Sequence, residues 1–432
     1  MQRTLAAEAA QHVGETVRLA GWLHQLRRLG GVSFLLLRDR SGIVQIVIDD
    51  PAALAPISGL QVETVLDVVG TVVAEPRAQI GVEVHSPTLK VISPVTEVTP
   101  FELNKKVLSP GLEVFLDNAA VGLRHPTKQA TFRLGSGLLV AFADYFTSRG
   151  FVQIRTPKLV AAATEGGANL FAVEYFDRYA FLAQSPQLYK QIMVGVFERV
   201  FEIGPAFRAE PHYTTRHINE FTSVDVEIGF IDDLTDLMLL LTDCLRAVLE
   251  QIRRTNAPDL ASLGVDLPDA RDIPTIRFRD AQQLILDRHG IDCRGEPDLA
   301  PEHERLLSRY AREEFGSDFL FVTHYPTGKR PFYTLPDPTD PSHSKSFDLL
   351  FRGAELVTGG QRINDYDQLV SGMIERGIDP AGFTGYLQAF KYGLPPEGGF
   401  AIGYERLLTR LIGLENIREA TLFPRDVNRL RP

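Results

Sequence analysis

One stretch of the chain, residues 201–229, constrains the fold and the function more than any other. Apolar residues alternate along residues 200–207 and again along residues 220–230, and a period of two predicts a pair of strands. The segment between them is crowded with charged or ionisable side chains, namely Arg208, Glu210, His212, Arg216 and His217. A hairpin needs only about two to five linking residues. The longer charged loop therefore predicts a polyanionic ligand, and a solvated hairpin tip is the alternative.

The composition is that of a globular protein with two or three domains. The chain has 432 residues, of which 44% are hydrophobic and 23% are charged, and a chain of this length buries a substantial core. Residues 1–19 lack the apolar region of a signal peptide, and no apolar run approaches the roughly 18 residues of a membrane span. We therefore expect a cytoplasmic protein without a membrane partner.

Cysteine usage and net charge exclude further classes. Cys244 and Cys293 are far apart and lack neighbouring His or Cys at ligand spacing, which argues against zinc and against a disulfide framework. The formal net charge of −10 argues against nucleic-acid binding by the whole surface, although a local basic groove is compatible with it.

Residues 1–103 are rich in strand signals. Five short segments, broken by Gly, Pro and Asp, cover residues 16–24, 33–39, 43–48, 64–74 and 81–85 with 89–92. Five such strands predict an OB-fold barrel, whose strand face commonly binds single-stranded nucleic acid. The expected face carries side chains suited to contacting splayed bases, namely Arg27, Arg28, Phe34, Arg38 and Gln45. A barrel with Phe34 in its core is the alternative.

The rest of the chain mixes helix and strand signals. Residues 104–130 combine Pro, Gly and charge without a clear period and predict a hinge, and a helix is expected from Thr131 to Arg149. Residues 346–363 predict strand, turn and strand, and residues 398–413 predict a strand that runs into a helix. Residues 232–345 contain amphipathic helices but no recognisable motif.

Two further segments carry polar residues at informative positions. Gln187 and Lys190 follow a predicted helix start three positions apart and so share one face. Glu355 is an acid within an apolar segment, and Mg²⁺ takes one or two carboxylates together with phosphate oxygens. No G-x-x-x-x-G-K-[ST] motif is present, so phosphates are not held by a P-loop. A surface lysine and a structural ion pair of Glu355 are the alternatives.

The patterns FRAE, RHINEF and VDVE within residues 207–227 resemble motif 2 of the class II aminoacyl-tRNA synthetases. Residues 132–160, with Pro157, resemble motif 1, which lies at the dimer interface in that family, and residues 398–413 resemble motif 3. The resemblance implies an α+β architecture with an N-terminal OB-fold anticodon-binding domain. A hinge and a catalytic domain with a central antiparallel sheet, residues 131–432, would follow it.

The resemblance also implies an ATP site. Arg208 would bind the α-phosphate, Phe221 would stack on adenine and Arg406 would bind the γ-phosphate. The implied ATP-binding residues are Arg208, Glu210, Arg216, His217, Ile218, Phe221, Glu355, Gly403, Glu405 and Arg406. Arg208, Glu355 and Arg406 would be the catalytic residues, and Glu355 and Thr358 would hold Mg²⁺, although many relatives have Ser where Thr358 stands.

Several segments, among them ATEGGANLF and FLAQSPQLYKQ, resemble the aspartyl members of subclass IIb, and the short 232–345 region resembles their archaeal type. The implied aspartate-binding residues are Glu165, Gln187, Lys190, Arg208, Thr358 and Arg362. Glu165 would meet the α-ammonium, and Lys190 and Arg362 would bind the side-chain carboxylate. Asparagine would leave these two cations buried and unpaired, so we expect it to be rejected.

The barrel segment GWLHQLRRLGGVSFLLLRDRSGIVQIV resembles the anticodon-binding domain of the same enzymes. The implied anticodon contacts are Arg27, Phe34, Gln45 and Glu83. His24 and Pro76 resemble the residues of enzymes that aspartylate tRNA-Asn as well as tRNA-Asp. The resemblance thus implies a homodimeric, non-discriminating enzyme whose mischarged product passes to a tRNA-dependent amidotransferase. A polar barrel residue without a role in tRNA choice is the alternative for His24.

Four other functions stay open from the sequence. The first two are an enzyme restricted to tRNA-Asp and an asparaginyl enzyme, which would need a different pocket at Lys190. A silent RNA-binding paralogue would be expected to lose Arg208, Glu355 or Arg406, and all three are present. A free-standing asparagine synthetase on this catalytic fold would lack the N-terminal barrel.

Overall fold

The structure is a computed structural model that describes residues 1–161 and 169–431. The chain forms two compact units, Met1–Pro126 and Thr127–Pro432. None of the helices among the described residues combines the length and the apolarity that a membrane crossing requires.

The first unit is built on a closed five-stranded barrel with the strand order β1-β2-β3-β5-β4. Its strands are β1 Thr16–Leu29, β2 Val32–Arg38, β3 Ile43–Ile48, β4 Val65–Ala74 and β5 Val82–Ser93. Alternate side chains of each strand point inward, so that Leu35, Leu37, Val44 and Ile46 lie in the barrel core. Short helices complete the unit: α1 Pro51–Leu54, α2 Leu112–Asp117, α3 Ala119–Gly122 and the 3-10 helices Ala6–His12 and Ala55–Ile57.

The predicted hinge at residues 104–130 is more ordered than its composition indicates. It contains α2, α3 and the first turn of α4, Pro126–Ser148, and the boundary between the units falls inside it. The helix expected from Thr131 therefore begins five residues earlier, at Pro126. Proline is favourable in a first helical turn because its missing N–H has no intrahelical partner there, which is why it does not end this helix.

The second unit contains an eight-stranded sheet with the order β12-β13-β16-β17-β18-β11-β10-β6. Its six central strands pair antiparallel, and both edge pairs, β12 with β13 and β10 with β6, are parallel. The strands of this unit are β6 Val152–Gln153, β7 Leu159–Val160, β8 Ala172–Tyr175, β9 Arg178–Leu182, β10 Arg199–Phe207, β11 Glu220–Gly229, β12 Thr275–Arg277, β13 Phe319–Thr323, β14 Pro336–Asp337, β15 Asp340–Ser344, β16 Ser346–Phe351, β17 Ala354–Gln361 and β18 Glu397–Gly403.

Helices cover one face of this sheet with apolar side chains. The remaining helices are α5 Gln187–Phe197, α6 Leu234–Thr255, α7 Ala257–Leu263, α8 Phe278–His289, α9 Pro301–Phe315, α10 Tyr366–Glu375, α11 Thr384–Lys391 and α12 Tyr404–Ile412, with 3-10 helices at Thr327–Lys329, Pro380–Phe383 and Ile417–Ala420. Residues of α4, α6 and α12 pack against Val224, Val226, Phe400 and Ile402 of the sheet in one continuous core.

The opposite face of the same strands forms a polar floor. Ser223, Asp225 and Glu227 alternate with the core residues of β11 and therefore point away from the core. Their partners on β18 are the small residues Gly403, Ala401 and Gly399. A Cβ on Gly399 would lie 2.2 Å from Glu227 Oε2, so this glycine makes room for the carboxylate.

Candidate active site

The charged loop of residues 208–219 opens onto a cavity above the polar floor. Arg208 and Phe221 stand at the ends of β10 and β11, and the Arg208 guanidinium carbon lies 5.5 Å from the centre of the Phe221 ring. The cavity is lined by Arg208, Glu210, Arg216, His217, Ile218, Phe221, Ser223, Glu355, Leu356, Thr358, Ala401, Gly403, Glu405, Arg406 and Ile417. All ten predicted ATP-binding residues are in this lining.

Asn219 holds the loop in place, and sequence reasoning missed it. Its side-chain amide donates to the backbone carbonyls of Arg208 (2.7 Å) and Glu210 (3.2 Å). Its backbone carbonyl accepts from Arg208 N, and its backbone N–H donates to Arg425 O at 2.7 Å. The asparagine therefore ties the start of the loop to its end and to the C-terminal segment.

Two of the predicted ATP-binding arginines, Arg216 and Arg406, are held by carboxylates. Arg216 Nη2 lies 2.6 Å from Glu304 Oε2, and the same oxygen accepts the Glu355 backbone N–H at 3.1 Å. Arg406 Nη1 donates to the Glu355 carbonyl at 2.6 Å and lies 3.4 Å from its carboxylate. Burial raises the pKa of Glu304, although the charge of Arg216 opposes that shift. Glu304 belongs to α9, in the region that carried no sequence motif.

Two other predicted ATP-site residues have local partners. His217 Nε2 lies 3.5 Å from Glu210 Oε2, and burial, reinforced by the charges of Arg406 and Arg216, lowers the pKa of its ring. The buried Glu405 carboxylate accepts the Thr222 backbone N–H at 2.9 Å, and burial raises its pKa to about 7.

A second cavity, of about 510 Å³, adjoins the first and shares Arg208, Phe221, Glu355 and Thr358 with it. Its floor carries Gln187 and Lys190 from α5, Asp225 from β11 and Arg362 from the end of β17. The predicted aspartate-binding residues that line this one cavity are Gln187, Lys190, Arg208, Thr358 and Arg362. The remaining one, Glu165, lies outside the described residues.

The cations of this floor are buried and already paired. Lys190, 2% exposed, has its Nζ 3.0 Å from Asp225 Oδ1 and 3.1 Å from Glu227 Oε2. Arg362 donates through Nε to Glu227 Oε1 at 2.8 Å and through Nη2 to the Gly399 carbonyl at 3.1 Å. Burial opposes the charge on both cations, but the carboxylates more than offset it and raise both pKa values.

This arrangement corrects the expected basis of selectivity against asparagine. The expectation that Lys190 and Arg362 are unpaired when no substrate carboxylate faces them is wrong. Asp225 and Glu227 neutralise them within the pocket, and sequence reasoning missed both acids. Discrimination must therefore rest on the charge balance of the whole cluster rather than on two unpaired cations.

Glu355 and Thr358 form one corner of the shared cavity wall. Thr358 Oγ1 donates to Glu355 Oε1 at 3.1 Å. Across the β16–β17 pair, Thr358 is opposite Asp348, a buried acid that sequence reasoning also missed. Burial raises the pKa of Asp348 to about 7, and the nearby Glu355 charge adds to this shift although Arg330, 2.8 Å away, opposes it.

The donor set fits a magnesium ion that also binds phosphate. Two carboxylates that repel each other, with a hydroxyl between them, are ligands suited to Mg²⁺ when phosphate oxygens complete its shell. Among residues 1–161 and 169–431, no group of three or more His, Cys, Asp or Glu is placed to hold a metal by itself.

The outer face of the barrel brings the predicted anticodon residues together. Phe34 of β2 pairs with Arg27 of β1, and Gln45 of β3 pairs with Glu83 of β5. Gln45 is opposite Leu36, two residues from Phe34, so all four residues share one face. The Gln45 amide donates to Glu83 Oε1 at 2.6 Å. Phe34 is half-buried on this outer face, so its alternative placement in the barrel core is wrong.

Arg38 does not belong to that face, contrary to expectation. It is buried and pairs with buried Glu63 at 2.8 Å. Its neighbour His24 is also buried, and it is the extra residue of a β-bulge between Leu23 and Gln25, where the β1–β2 register shifts.

Burial and the charge of Arg38 lower the pKa of His24, which favours a neutral ring. Pro76, by contrast, lies in the turn between β4 and β5, beside the Glu75–Arg77 ion pair. The two residues that we associate with tRNA choice therefore have different environments.

Comparison with known proteins agrees with this geometry. Residues 111–427 match the family described as tRNA synthetases class II (D, K and N), and residues 17–92 match the OB-fold nucleic acid binding domain. The chain therefore belongs to the class II tRNA synthetases, and the predicted OB-fold followed by a class II domain is confirmed.

Individual relatives cover the whole chain. An aspartate--tRNA(Asp/Asn) ligase of Deinococcus radiodurans is 46% identical over 100% of this chain and 99% of its own length. An aspartate--tRNA(Asp) ligase of Pyrococcus horikoshii is 41% identical over 97% of each chain. The crystal structure of asparaginyl-tRNA synthetase from Pyrococcus horikoshii complexed with asparaginyl-adenylate superposes with a TM-score of 0.93 at 33% identity, covering 100% of both chains. Since the overall fold is shared by enzymes named for different amino acids, the pocket must distinguish them.

Proposed function

We propose that this chain activates L-aspartate with ATP and transfers it, through aspartyl-adenylate, to both tRNA-Asp and tRNA-Asn. The observation that carries this proposal is the pair of adjoining cavities. Buried Lys190 and Arg362 form the floor of one, and Arg208, Arg406 and Glu355 line the other. The name of the 46% identical relative, which includes both tRNAs, supports the same function.

In the proposed first step, the α-carboxylate of aspartate attacks the α-phosphorus of ATP and pyrophosphate leaves. Arg208, which borders both cavities, is placed to bind the α-phosphate beside the amino acid. Arg216 and Arg406 bind the outer phosphates, and their carboxylate partners preset the geometry. Catalysis of this kind depends mainly on positioning and on fixed charge. Glu355, Thr358 and Asp348 would hold Mg²⁺, which when bound neutralises phosphate charge.

In the second step, the terminal adenosine hydroxyl of the tRNA attacks the activated carbonyl. An ester bond forms to the hydroxyl oxygen, the bond between the carbonyl carbon and the phosphate oxygen breaks, and AMP leaves with that oxygen and the bonding electrons, so that aspartyl-tRNA is formed. Among the described residues of the two cavities, no side chain stands out as a dedicated base for this step.

The amino acid is tested by ATP–pyrophosphate exchange with aspartate or asparagine at saturating ATP. We expect exchange with aspartate, and we expect Lys190→Ala to raise the KM for aspartate far more than that for ATP. The exposed Lys391, at the end of α11, supplies a matched control, Lys391→Ala, that should change neither constant. An unchanged aspartate KM in Lys190→Ala, or exchange that prefers asparagine, would contradict the assignment.

The tRNA range is tested by acylating tRNA-Asp and tRNA-Asn transcripts side by side at equal concentration. Comparable kcat/KM values are expected if the enzyme is non-discriminating, and the product on tRNA-Asn would then suit a tRNA-dependent amidotransferase. Charging of tRNA-Asp alone would favour the discriminating alternative, while aspartate activation would still stand.

A homodimer completes the proposal. Val140 of α4, Val152 of β6 and Leu159 of β7 belong to the motif 1 region and are exposed apolar residues. Burying them against a second copy would remove this apolar surface from water. Sedimentation of the full chain tests this, and a monomer at micromolar concentration would contradict it.

A further inference from the structure

Beside the proposed aspartate pocket lies a third buried acid, Glu397, that none of the roles above uses. It is the first residue of β18 and is opposite Gly229 of β11, two residues from Glu227. Residues two apart on a strand share a face, so Glu397 and Glu227 are diagonal neighbours across the strand pair. Both carboxyl groups are fully buried and lie within interaction distance of each other.

The two oxygens of Glu397 have different partners. The Gln191 amide N–H donates to Glu397 Oε1 at 2.6 Å, and Gln191 Oε1 in turn accepts from the Tyr386 hydroxyl at 3.1 Å. With the amide oriented so that its oxygen accepts from the Tyr386 hydroxyl, Glu397 Oε1 is an acceptor. Glu397 Oε2 has no donor when the group is written as a carboxylate.

Glu227 has a complementary unsatisfied oxygen. Its Oε1 accepts from Arg362 at 2.8 Å, whereas its Oε2, although 3.1 Å from Lys190 Nζ, receives no hydrogen bond when both acids are ionised. A proton on Glu397 Oε2 satisfies both of these oxygens with one hydrogen bond. Two ionised carboxylates in direct contact are strongly unfavourable, and pairs of this kind share one proton.

The charge count leads to the same arrangement. Lys190 and Arg362 supply two positive charges, and Asp225 and Glu227 supply two negative charges. A third buried anion would have no cation left to pair with and would repel an incoming carboxylate. Burial and the charge of Glu227 raise the pKa of Glu397 well above its ordinary value. The pKa of Glu227 stays low despite its burial because Arg362 and Lys190 stabilise its charge.

We propose that Glu397 is a positioning residue that stays protonated and donates to Glu227, so that the aspartate pocket is electrically neutral before the substrate carboxylate enters. The donated hydrogen bond holds Glu227 between Lys190 and Arg362. This inference rests on the proposed function, because it takes aspartate as the ligand of this pocket. It explains how a pocket whose cations are already paired still accepts an acid.

The proposal predicts how the KM for aspartate depends on pH. The charged and titratable groups that act on Glu397 are Glu227 of β11, Arg362 after β17 and Tyr386 of α11. Lys190 of α5 and Tyr333, which precedes β14, act on these groups in turn. Lys190 and Arg362 keep their charge because their pKa values are raised, and burial also raises the pKa of Tyr386. Ionisation of Glu397 at alkaline pH would add a buried negative charge beside Glu227 and should raise the KM for aspartate.

Two substitutions, Glu397→Gln and Glu397→Leu, distinguish the effect of the Glu397 proton from the effect of the side chain's packing. Glutamine keeps an acceptor for Gln191 and a donor for Glu227 but cannot ionise. We expect Glu397→Gln to leave the aspartate KM within about 3-fold of the parent and to remove its rise at alkaline pH. Glu397→Leu loses a hydrogen bond to a charged group, so we expect its KM for aspartate to rise by about 10-fold or more. Its KM for ATP should stay within about 2-fold of the parent value. Equal damage by both substitutions, or an alkaline rise that persists in Glu397→Gln, would overturn the proposal.

Infrared spectroscopy gives a readout that does not depend on activity. The difference spectrum of the parent and Glu397→Gln at neutral pH should lose the carbonyl band of one protonated carboxylic acid. Glu405→Gln is the spectroscopic control, recorded below pH 7, because burial raises the pKa of Glu405 to about 7. The inference would be overturned if the Glu405→Gln difference spectrum showed a carboxylic-acid carbonyl band and the Glu397→Gln difference spectrum showed none. If the parent failed to activate aspartate while the Glu397 band was present, the proposed function would fail and the shared proton would stand.

Discussion

The proposed aspartate pocket and the outer face of the barrel should select ligands in different ways. In the pocket, each charged group of Lys190, Arg362 and Glu227 lies within 3.1 Å of an opposite charge and is almost wholly buried. On the barrel face, Phe34 and Gln45 are half-buried, and the Gln45–Glu83 hydrogen bond joins two strands at the surface. Removing one partner of a buried ion pair costs far more than removing a surface contact. Amino acid selection should therefore depend on a few residues, and tRNA binding on many.

The largest effect should come from Arg362→Leu. The substitution removes a proposed substrate contact and leaves Glu227 buried without its arginine. Truncating a buried charge pair at a binding site costs about 2–5 kcal/mol, which corresponds to roughly 30-fold to several-thousand-fold in the aspartate kcat/KM. ATP–pyrophosphate exchange at saturating ATP measures it.

The matched control is Arg279→Leu, which breaks the exposed pair of Arg279 with Asp340 (3.3 Å). An exposed pair contributes at most about 1 kcal/mol, so exchange and the urea midpoint should stay near those of the parent. If both arginine variants behaved alike, the contrast between buried and exposed pairs would fail.

A smaller effect is expected from Phe34→Ala on the barrel. Stacking of a base on an aromatic side chain contributes about 1–3 kcal/mol, so tRNA affinity should fall by roughly 5- to 150-fold. Exchange without tRNA should be unchanged. Filter binding and exchange assays measure the two quantities, and Phe34→Tyr should keep most of the affinity. If Phe34→Ala kept the full tRNA affinity of the parent, Phe34 would not be part of the tRNA-binding surface.

Gln45→Ala should cost less again. It removes one neutral donor and frees the Glu83 carboxylate, for an expected loss of about 1 kcal/mol, or roughly 5-fold, in tRNA binding. Gln283 of α8 donates to Asp287 at 2.7 Å in an exposed amide–carboxylate pair. Gln283→Ala is therefore the control, and equal effects of the two substitutions would count against a role for Gln45.

The smallest effect concerns stability at acidic pH. The folded state holds the pKa of His24 below its ordinary value of 6.5, so the unfolded chain takes up a proton first. Stability that is present above about pH 6.5 is lost as the pH falls below it, by at most about 1.4 kcal/mol per pH unit for one proton.

Trp22, the sole tryptophan of the chain, lies in β1 beside His24 and reports on barrel unfolding. Urea titrations followed by its fluorescence give the free energy of unfolding at each pH. That free energy should fall less steeply with decreasing pH in His24→Phe than in the parent. Identical pH dependence in the two proteins would mean that other groups, such as the Arg38–Glu63 pair, control it.

Local sequence motifs predict most of the residues that line the first cavity but only about a third of those that line the second. Gln187 and Lys190 share the inner face of α5 because a spacing of three residues determines it. The alternation along residues 220–230 correctly indicates a strand. The same pattern contains a further signal, because Asp225 and Glu227 stand at alternate positions of an otherwise apolar strand and so both point to its polar face.

The acids Asp348, Glu304 and Glu397 have no comparable signal. Glu304 and Glu397 lie far along the chain from Glu355 and Glu227, which they meet, and only the packing of α9 and the sheet order bring them together. Asp348 is near Thr358 in the chain, but only the register of the β16–β17 pair places the two residues opposite each other. The prediction for Arg38 is wrong for a related reason. An arginine on a strand near Phe34 is typical of a surface residue, and only the fold reveals its buried partner Glu63, 25 residues away.

The sequence alone determined the class of protein, the order of its two folds and the residue types at the phosphates, because period, spacing and motif are local properties. The tertiary structure alone decided which charges are paired. The energy of a buried charge depends on distance and burial, and these exist only once β11, β17, β18 and α5 have assembled around one pocket. That is why the sequence identifies Lys190 and Arg362 as cations, while only the assembled fold pairs them with Asp225 and Glu227.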